Sequence, residues 1–379
     1  MNEDRSRSVW NVVALIAGLG LAAVVAVVAV SRSDRPGAEA EGTPSASASP
    51  SPSPTAPGTL AGQGPYLVYA TGSEEIIAYD TAAKQWISMG NVDGPPVTQH
   101  ARQPGSGLVA AFATDDGTVW RVDREGLERV ALLPVSDPRL LDGGTVSRDG
   151  QRFAIAMTGP DPELMIVNLG NGRTAALPRR SSGGNRYPDD AALVPIGWSL
   201  GGSLVYQLPV CNCADGAPGL YLYDLATERS TIVQTTAQGS LDRSAISPDG
   251  QEVIWGDGQT LRRVGAGRQS AAALRRASGG RIFSSVLWST DGTSLLLAIG
   301  PSDPGGEPTI RELVDPESGD RERTVPGIPE EGLPLALLPG RRVVVHIDGG
   351  SDPRLSIFVD GTEAVLSKGE GLVFLGWLR

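Results

Sequence analysis

The chain has 379 residues, with 43 Asp and Glu against 32 Lys and Arg, for a formal net charge of −11. No Lys/Arg-rich run occurs in its body, which argues against nucleic acid as a partner because phosphate binding rests on a basic face. Gly (49) and Pro (29) together make up about a fifth of the residues, as many turns and a low-complexity segment require.

The first element is apolar. Val9 to Val30 carries one polar residue, Asn11, and at 1.5 Å per residue a helix of that length spans about 33 Å, enough for a hydrocarbon core. We expect a single membrane helix with Trp10 at the headgroup level. Arg5 and Arg7 precede it and Arg32 and Arg35 follow it, so the positive-inside count is nearly tied. The next segment, residues 31–64, decides the orientation: it is rich in Pro, Ser and Ala and includes Pro50-Ser51-Pro52-Ser53-Pro54. Such a segment buries no core and forms a semi-extended spacer. The expected order is a short cytoplasmic tail (1–8), the membrane helix (9–30), the spacer (31–64) and an extracytoplasmic domain (65–379). The apolar run exceeds a signal-peptide core of about 7 to 15 residues, which favours a retained anchor; cleavage after Ala29 is the alternative. No Cys lies near it, so a lipid-modified N-terminus is excluded.

The domain is a repeat. Ala245-Ile246-Ser247-Pro248-Asp249-Gly250-Gln251-Glu252-Val253-Ile254-Trp255 reads as strand, tight turn, strand: Pro248 presets φ, Asp249 bonds its own backbone and Gly250 accepts positive φ. Degraded copies of the turn stand at Ser147-Arg148-Asp149-Gly150, Ser199-Leu200-Gly201-Gly202 and Ser289-Thr290-Asp291-Gly292. A second signal, an apolar strand often ending in Asp, begins at Ile76, Val119, Leu164, Leu220, Leu261, Ile310 and Leu355. Seven copies at blade-length spacing predict an all-β, seven-bladed propeller. The first copy lacks an inner strand and the chain ends on an orphan strand, Leu372 to Trp377. The last strand is therefore expected to complete the first blade, leaving few open sheet edges.

The Ser-Pro-Asp-Gly turn at 247–250 resembles that of TolB-like and WD-repeat-like propellers over about residues 65–377, and implies their fold. The paired Gly-His and Trp-Asp signature of eukaryotic WD repeats is not present. The single anchor followed by an Ala/Pro-rich spacer is similar to envelope proteins of actinobacteria.

Candidate chemistry is sparse. Gly197-Trp198-Ser199-Leu200-Gly201 fits a nucleophile elbow in letters, but an elbow needs a strand-to-helix turn. Here a strand follows, and Ser199 aligns with the turn serines 147, 247 and 289. The two histidines, His100 and His346, fall in other blades and read as structural. Ala78, Asp80 and Trp86 match a quinoprotein pattern only in order; a strand-ending Asp before a turn suffices. Cys211 and Cys213 are the chain's two cysteines. Outside the cell they could form a local disulfide, stay free or bridge to another chain, or take a metal or redox role. Trp198, Trp255, Trp288 and Trp377 recur beside the inner hairpins and are expected in the core.

In a blade, the turns joining strands one to two and three to four lie on one face, and the remaining connections lie on the other. The long insertions at 179–190, 210–218, 300–308 and 349–354 fall on that second face. Loops on a rigid scaffold carry function, so the candidate binding residues are Arg179, Arg180, Arg186, Tyr187, Asp189 and Asp190, with the Cys211 and Cys213 loop beside them. This mixture suits a protein or peptide partner of the envelope. The expectation is a tethered, non-catalytic binding scaffold without cofactor or metal. The alternatives are an enzyme with its site at the channel mouth, or a sensor working through a partner membrane protein.

Overall fold

Blade five shows how the repeated hairpin becomes a sheet. Ser244–Ile246 pairs with Glu252–Asp257, which pairs with Thr260–Gly265, which pairs with Ala272–Arg276, all antiparallel. Side chains alternate across such a strand, so both faces of this sheet are apolar. Ile254 and Ala245 pack towards blade six, while Val253, Trp255 and Ile246 pack towards blade four.

The computed structural model describes residues 59–62, 64–72, 74–96, 107–134, 141–157, 163–177, 193–208, 219–235, 244–265, 271–301, 308–347, 354–368 and 372–379. The expected membrane span and most of the spacer lie outside these. Among the described residues no helix is long and apolar enough to cross a membrane.

Seven antiparallel sheets follow one another around the ring, six with four strands and one, blade two, with three among the described residues. In blade two an antiparallel bridge joins Pro96 to Thr114, at the end of Ala110–Ala113. The seven sequence signals all fall on third strands, from Glu75–Asp80 in blade one to Arg354–Val359 in blade seven. The last strand, Val373–Leu378, is the innermost strand of blade one and pairs with Tyr66–Ala70, with Leu67 opposite Trp377. The ring is thus closed by its two ends, as expected.

Seven hydrophobic clusters hold the blades together, and each lies between two neighbours. Blade two illustrates the division: Ala110, Phe112 and Val122 face blade one, and Ala111, Ala113 and Val119 face blade three. The four tryptophans beside the inner hairpins are all buried, as expected. Leu60, within the stretch expected to be spacer, is also buried, and joins the cluster between blades one and two.

The innermost strand pair carries a bulge in five blades. The register shifts between Asp142 and Gly144, Pro195 and Gly197, Phe283 and Ser285, Pro334 and Ala336, and opposite Val68 and Tyr69. One extra residue on the inner strand increases local right-handed twist. The strand can thereby run along the channel while its blade fans outward.

Candidate functional site

The turns between first and second strands are built by one chemistry. In blades three, five and six the turn serine accepts a backbone N–H five residues on: Arg152 N to Ser147 Oγ at 2.9 Å, Glu252 N to Ser247 Oγ at 3.0 Å, and Ser294 N to Ser289 Oγ at 2.9 Å. The Ser147 and Ser247 hydroxyls donate to Asp149 and Asp249, and the turn glycine donates its N–H to the serine carbonyl. Ser199 has the same post, accepting from Ser203 N at 3.1 Å, and is 7% exposed. Its hydroxyl is a turn acceptor at the end of Val194–Trp198, with another strand following. The elbow geometry is not there. His346 lies on the second strand of blade seven, three blades away, and His100 lies outside the described residues.

In five blades the turn between third and fourth strands uses a strand-ending Asp or Asn. Asp80 Oδ1 accepts from Ala82 and Ala83, Asp123 from Glu125 and Gly126, Asn168 from Gly170 and Asn171, Asp224 from Ala226 and Thr227, and Asp315 from Glu317 and Ser318. Asp80 Oδ1 therefore serves its own turn, which accounts for its place before Trp86.

Arg179, Arg180, Arg186, Tyr187, Asp189, Asp190, Cys211 and Cys213 lie outside the described residues. The strands on either side of them are described: Thr174–Ala176 and Val194–Trp198 flank the first group, Leu204–Leu208 and Gly219–Asp224 the second. Both connections therefore join strand ends on the same face, opposite the hairpin turns. The chain enters the ring on the hairpin-turn face, through 59–65 at the start of Tyr66–Ala70.

On the hairpin-turn face, neighbouring inner turns dock on one another. Leu200 N donates to Gly250 O at 2.9 Å, linking blades four and five. A Cβ at Gly250 would stand 2.7 Å from both Leu200 N and Trp198 O, so there is no space between these turns. Blades six and seven differ. Thr290 N still reaches Leu337 O at 2.8 Å, but the blade-seven turn is Pro339-Gly340-Arg341, with neither Ser nor Asp. A Cβ at Gly340 would meet nothing within 4 Å. The result is a cleft of about 330 Å³ whose walls include Asp291, Thr293, Ser294, Glu322 and Arg341, over Leu337 and Leu338.

Charges in the cleft are fixed by their neighbours. Burial disfavours ionisation of Asp291, but hydrogen bonds from the Ser289 and Thr293 hydroxyls and from turn amides outweigh it and hold the carboxyl below the usual range. Glu322 pairs with Arg341 at 3.0 Å. With Asp291 and Glu322 set against Arg341, the walls carry a net charge of −1. Sequence reasoning missed this cleft; its signal was the loss of the Ser-x-Asp-Gly turn in blade seven.

Neither a family model nor a curated protein matches the chain. Among solved structures the chain is similar to an oligogalacturonate lyase in complex with manganese, at 13% identity over 75% of this chain and 82% of that one, with a TM-score of 0.53. It is similar at 13% identity to a protein from Lactobacillus plantarum, over 83% and 100% of the two chains, with a TM-score of 0.50. It is also similar to TolB from Acinetobacter baumannii, at 17% identity over 82% and 81%, with a TM-score of 0.48. The likeness is one of fold. The seven-bladed propeller expected from the repeats is the architecture the chain has, and the manganese belongs to the lyase. Among the described residues of this propeller, no group of three or more His, Cys, Asp or Glu side chains is placed to hold a metal ion.

Proposed function

We propose that the protein is a membrane-tethered, extracytoplasmic propeller that acts as a non-catalytic binding scaffold for an envelope protein or peptide. The observation that supports this most is where the ends of the chain meet. Residues 59–65 enter, and Val373–Leu378 closes the ring, with Leu60 and Arg379 both bonded to Arg124 in a hairpin turn of blade two. Entry and closure use the hairpin-turn face, which leaves the opposite face, with its long connections, for a partner.

On this reading Arg179, Arg180, Arg186, Tyr187, Asp189 and Asp190 form the recognition surface beside the Cys211 and Cys213 loop. Arg and Tyr are the residues that anchor protein interfaces. The role of the anchor at 9–30 is to keep this surface in the envelope. The non-catalytic assignment is supported by Ser199, whose hydroxyl is committed to its own turn.

The test is affinity recovery from membrane and cell-wall extracts with the full chain as bait, beside Arg186→Ala/Tyr187→Ala and a version with 210–218 shortened. One protein recovered by the parent chain and lost in both variants supports the scaffold. Equal recovery by all three overturns the assigned surface. A chain released from its tether that keeps full biological activity overturns the scaffold in favour of an enzyme.

A further inference from the structure

The cleft between blades six and seven is not used by the proposed scaffold, and it lies on the other face. We propose that it binds an organic cation: the protonated amine or guanidinium at the end of an alkyl chain, as presented by a Lys or Arg side chain of a peptide. This inference does not rest on the scaffold reading.

Charge decides the sign of the guest. Arg341 is already paired with Glu322, so an anion would have to displace a carboxylate, whereas a cation meets Asp291, for which no ion pair stands among the described residues. Asp291 is committed on its inner side, where Thr293 Oγ1 donates to Oδ1 at 2.8 Å and Thr293 N to the same atom at 3.1 Å. An ionised carboxylate offers about four acceptor positions over two oxygens; the Ser289 hydroxyl and the turn amides take part of them, and the exposed carboxylate keeps the remainder for a guest. Ser294 adds a directed group. It lines the cleft, is 8% exposed, and among the described residues its hydroxyl donates to no partner, while its backbone N–H donates to Ser289 Oγ and its carbonyl accepts from Ser289 N.

Shape decides between a bare ion and a chain-borne one. A metal ion is surrounded by oxygen, but the lining of this cleft includes Leu337 and Leu338. Lys and Arg lay their methylene stems along apolar surface while the head stays polar, and this cleft has that order of surfaces. Its volume of about 330 Å³ exceeds by far the about 30 Å³ share of one water.

The test uses the full chain in detergent micelles with agmatine as probe, followed by ligand-observed NMR titration. We expect saturable binding that weakens with salt. Asp291→Asn should weaken it about two- to five-fold, the scale of one partly solvated charge contact. Arg341→Ala should instead tighten it about two- to five-fold by releasing Glu322. A distant Asp→Asn and a distant Arg→Ala, which change the net charge equally, should leave affinity unchanged; matching effects there would mean general attraction to an acidic protein and overturn the site. No saturation, or equal affinity in all three chains, overturns the proposal. Circular dichroism of each variant confirms that the comparison is between folded chains.

Discussion

Arg124 donates from Nε to the carbonyl of Arg379 at 2.8 Å, across 255 positions of sequence. The same guanidinium donates from Nη1 to Gly62 O at 2.7 Å and to Leu60 O at 3.3 Å, and it lies 5.4 Å from the ring centre of Tyr66. One side chain in blade two therefore holds both the entering and the leaving end of the chain against blade one. Charge-assisted bonds to carbonyls carry more than neutral ones, and these are partly solvated, so Arg124→Ala should cost about 2 kcal/mol. Arg124→Lys should recover less than half of this, since one ammonium replaces a planar fork. Urea midpoints of the three chains measure it.

Truncation at Leu372 removes the innermost strand of blade one, and with it Phe374, Leu375, Trp377 and Leu378, all buried. It exposes the edge of Tyr66–Ala70 and opens clusters on both sides of the blade. We expect loss of the cooperative unfolding transition, measured by calorimetry, together with aggregation through the bare edge.

Gly250 and Gly258 both have positive φ, +69° and +57°, so an Ala pays the left-handed backbone cost at either place, about 1 to 3 kcal/mol. They differ in surroundings. At Gly250 the new Cβ meets backbone of the neighbouring turn at 2.7 Å, and at Gly258 it meets nothing within 4 Å. Gly250→Ala should therefore be the more damaging by at least about 2 kcal/mol, and the difference measures how tightly blades four and five dock.

The fold was legible because six of the seven third strands announce themselves twice, by an apolar run and by the Asp or Asn that follows it, as at Tyr79-Asp80 and Tyr223-Asp224. Closure was legible from arithmetic, since Leu372 to Trp377 had no blade of its own. The bulges were not: nothing in Phe283-Ser284-Ser285 distinguishes a bulged strand from a regular one. Arg124 was hidden for another reason. Its partners are three backbone carbonyls, and a carbonyl leaves no mark in a sequence. The cleft was visible only as an absence, because Pro339-Gly340-Arg341 lacks the side chains that fill the matching space elsewhere.

Acid should loosen the inner turns. Asp149 and Asp291 are held below their ordinary value of 3.8: burial opposes ionisation in both, and hydrogen bonds from Ser147 and Ser289, with turn amides, outweigh it. A carboxyl lowered in the folded state stabilises fully above its unfolded value and loses that contribution as pH falls through the folded one. Melting temperature should therefore fall as pH drops from about 4 to about 2. In Asp149→Asn/Asp291→Asn it should start lower at neutral pH and decline less steeply over that window. A parallel decline in both chains would place the acid sensitivity elsewhere.

Trp198 and Trp288 occupy matching ends of inner strands in blades four and six, and both are buried. Their indole N–H groups have different fates. Trp198 Nε1 donates to Thr145 O of blade three at 3.2 Å, whereas Trp288 Nε1 is buried with no hydrogen-bond partner among the described residues. Trp→Phe removes ring volume at both positions, so the cavity cost is shared. At 198 it also removes the hydrogen bond to the Thr145 carbonyl, a further cost of about 0.5 to 1.5 kcal/mol. At 288 it removes an unsatisfied donor whose desolvation already counts against the fold, which offsets part of the lost packing. Trp198→Phe should therefore be more destabilising than Trp288→Phe by about 1 kcal/mol or more, read from guanidinium unfolding midpoints at equal slopes. Equal losses would mean that packing alone sets the value of tryptophan between blades.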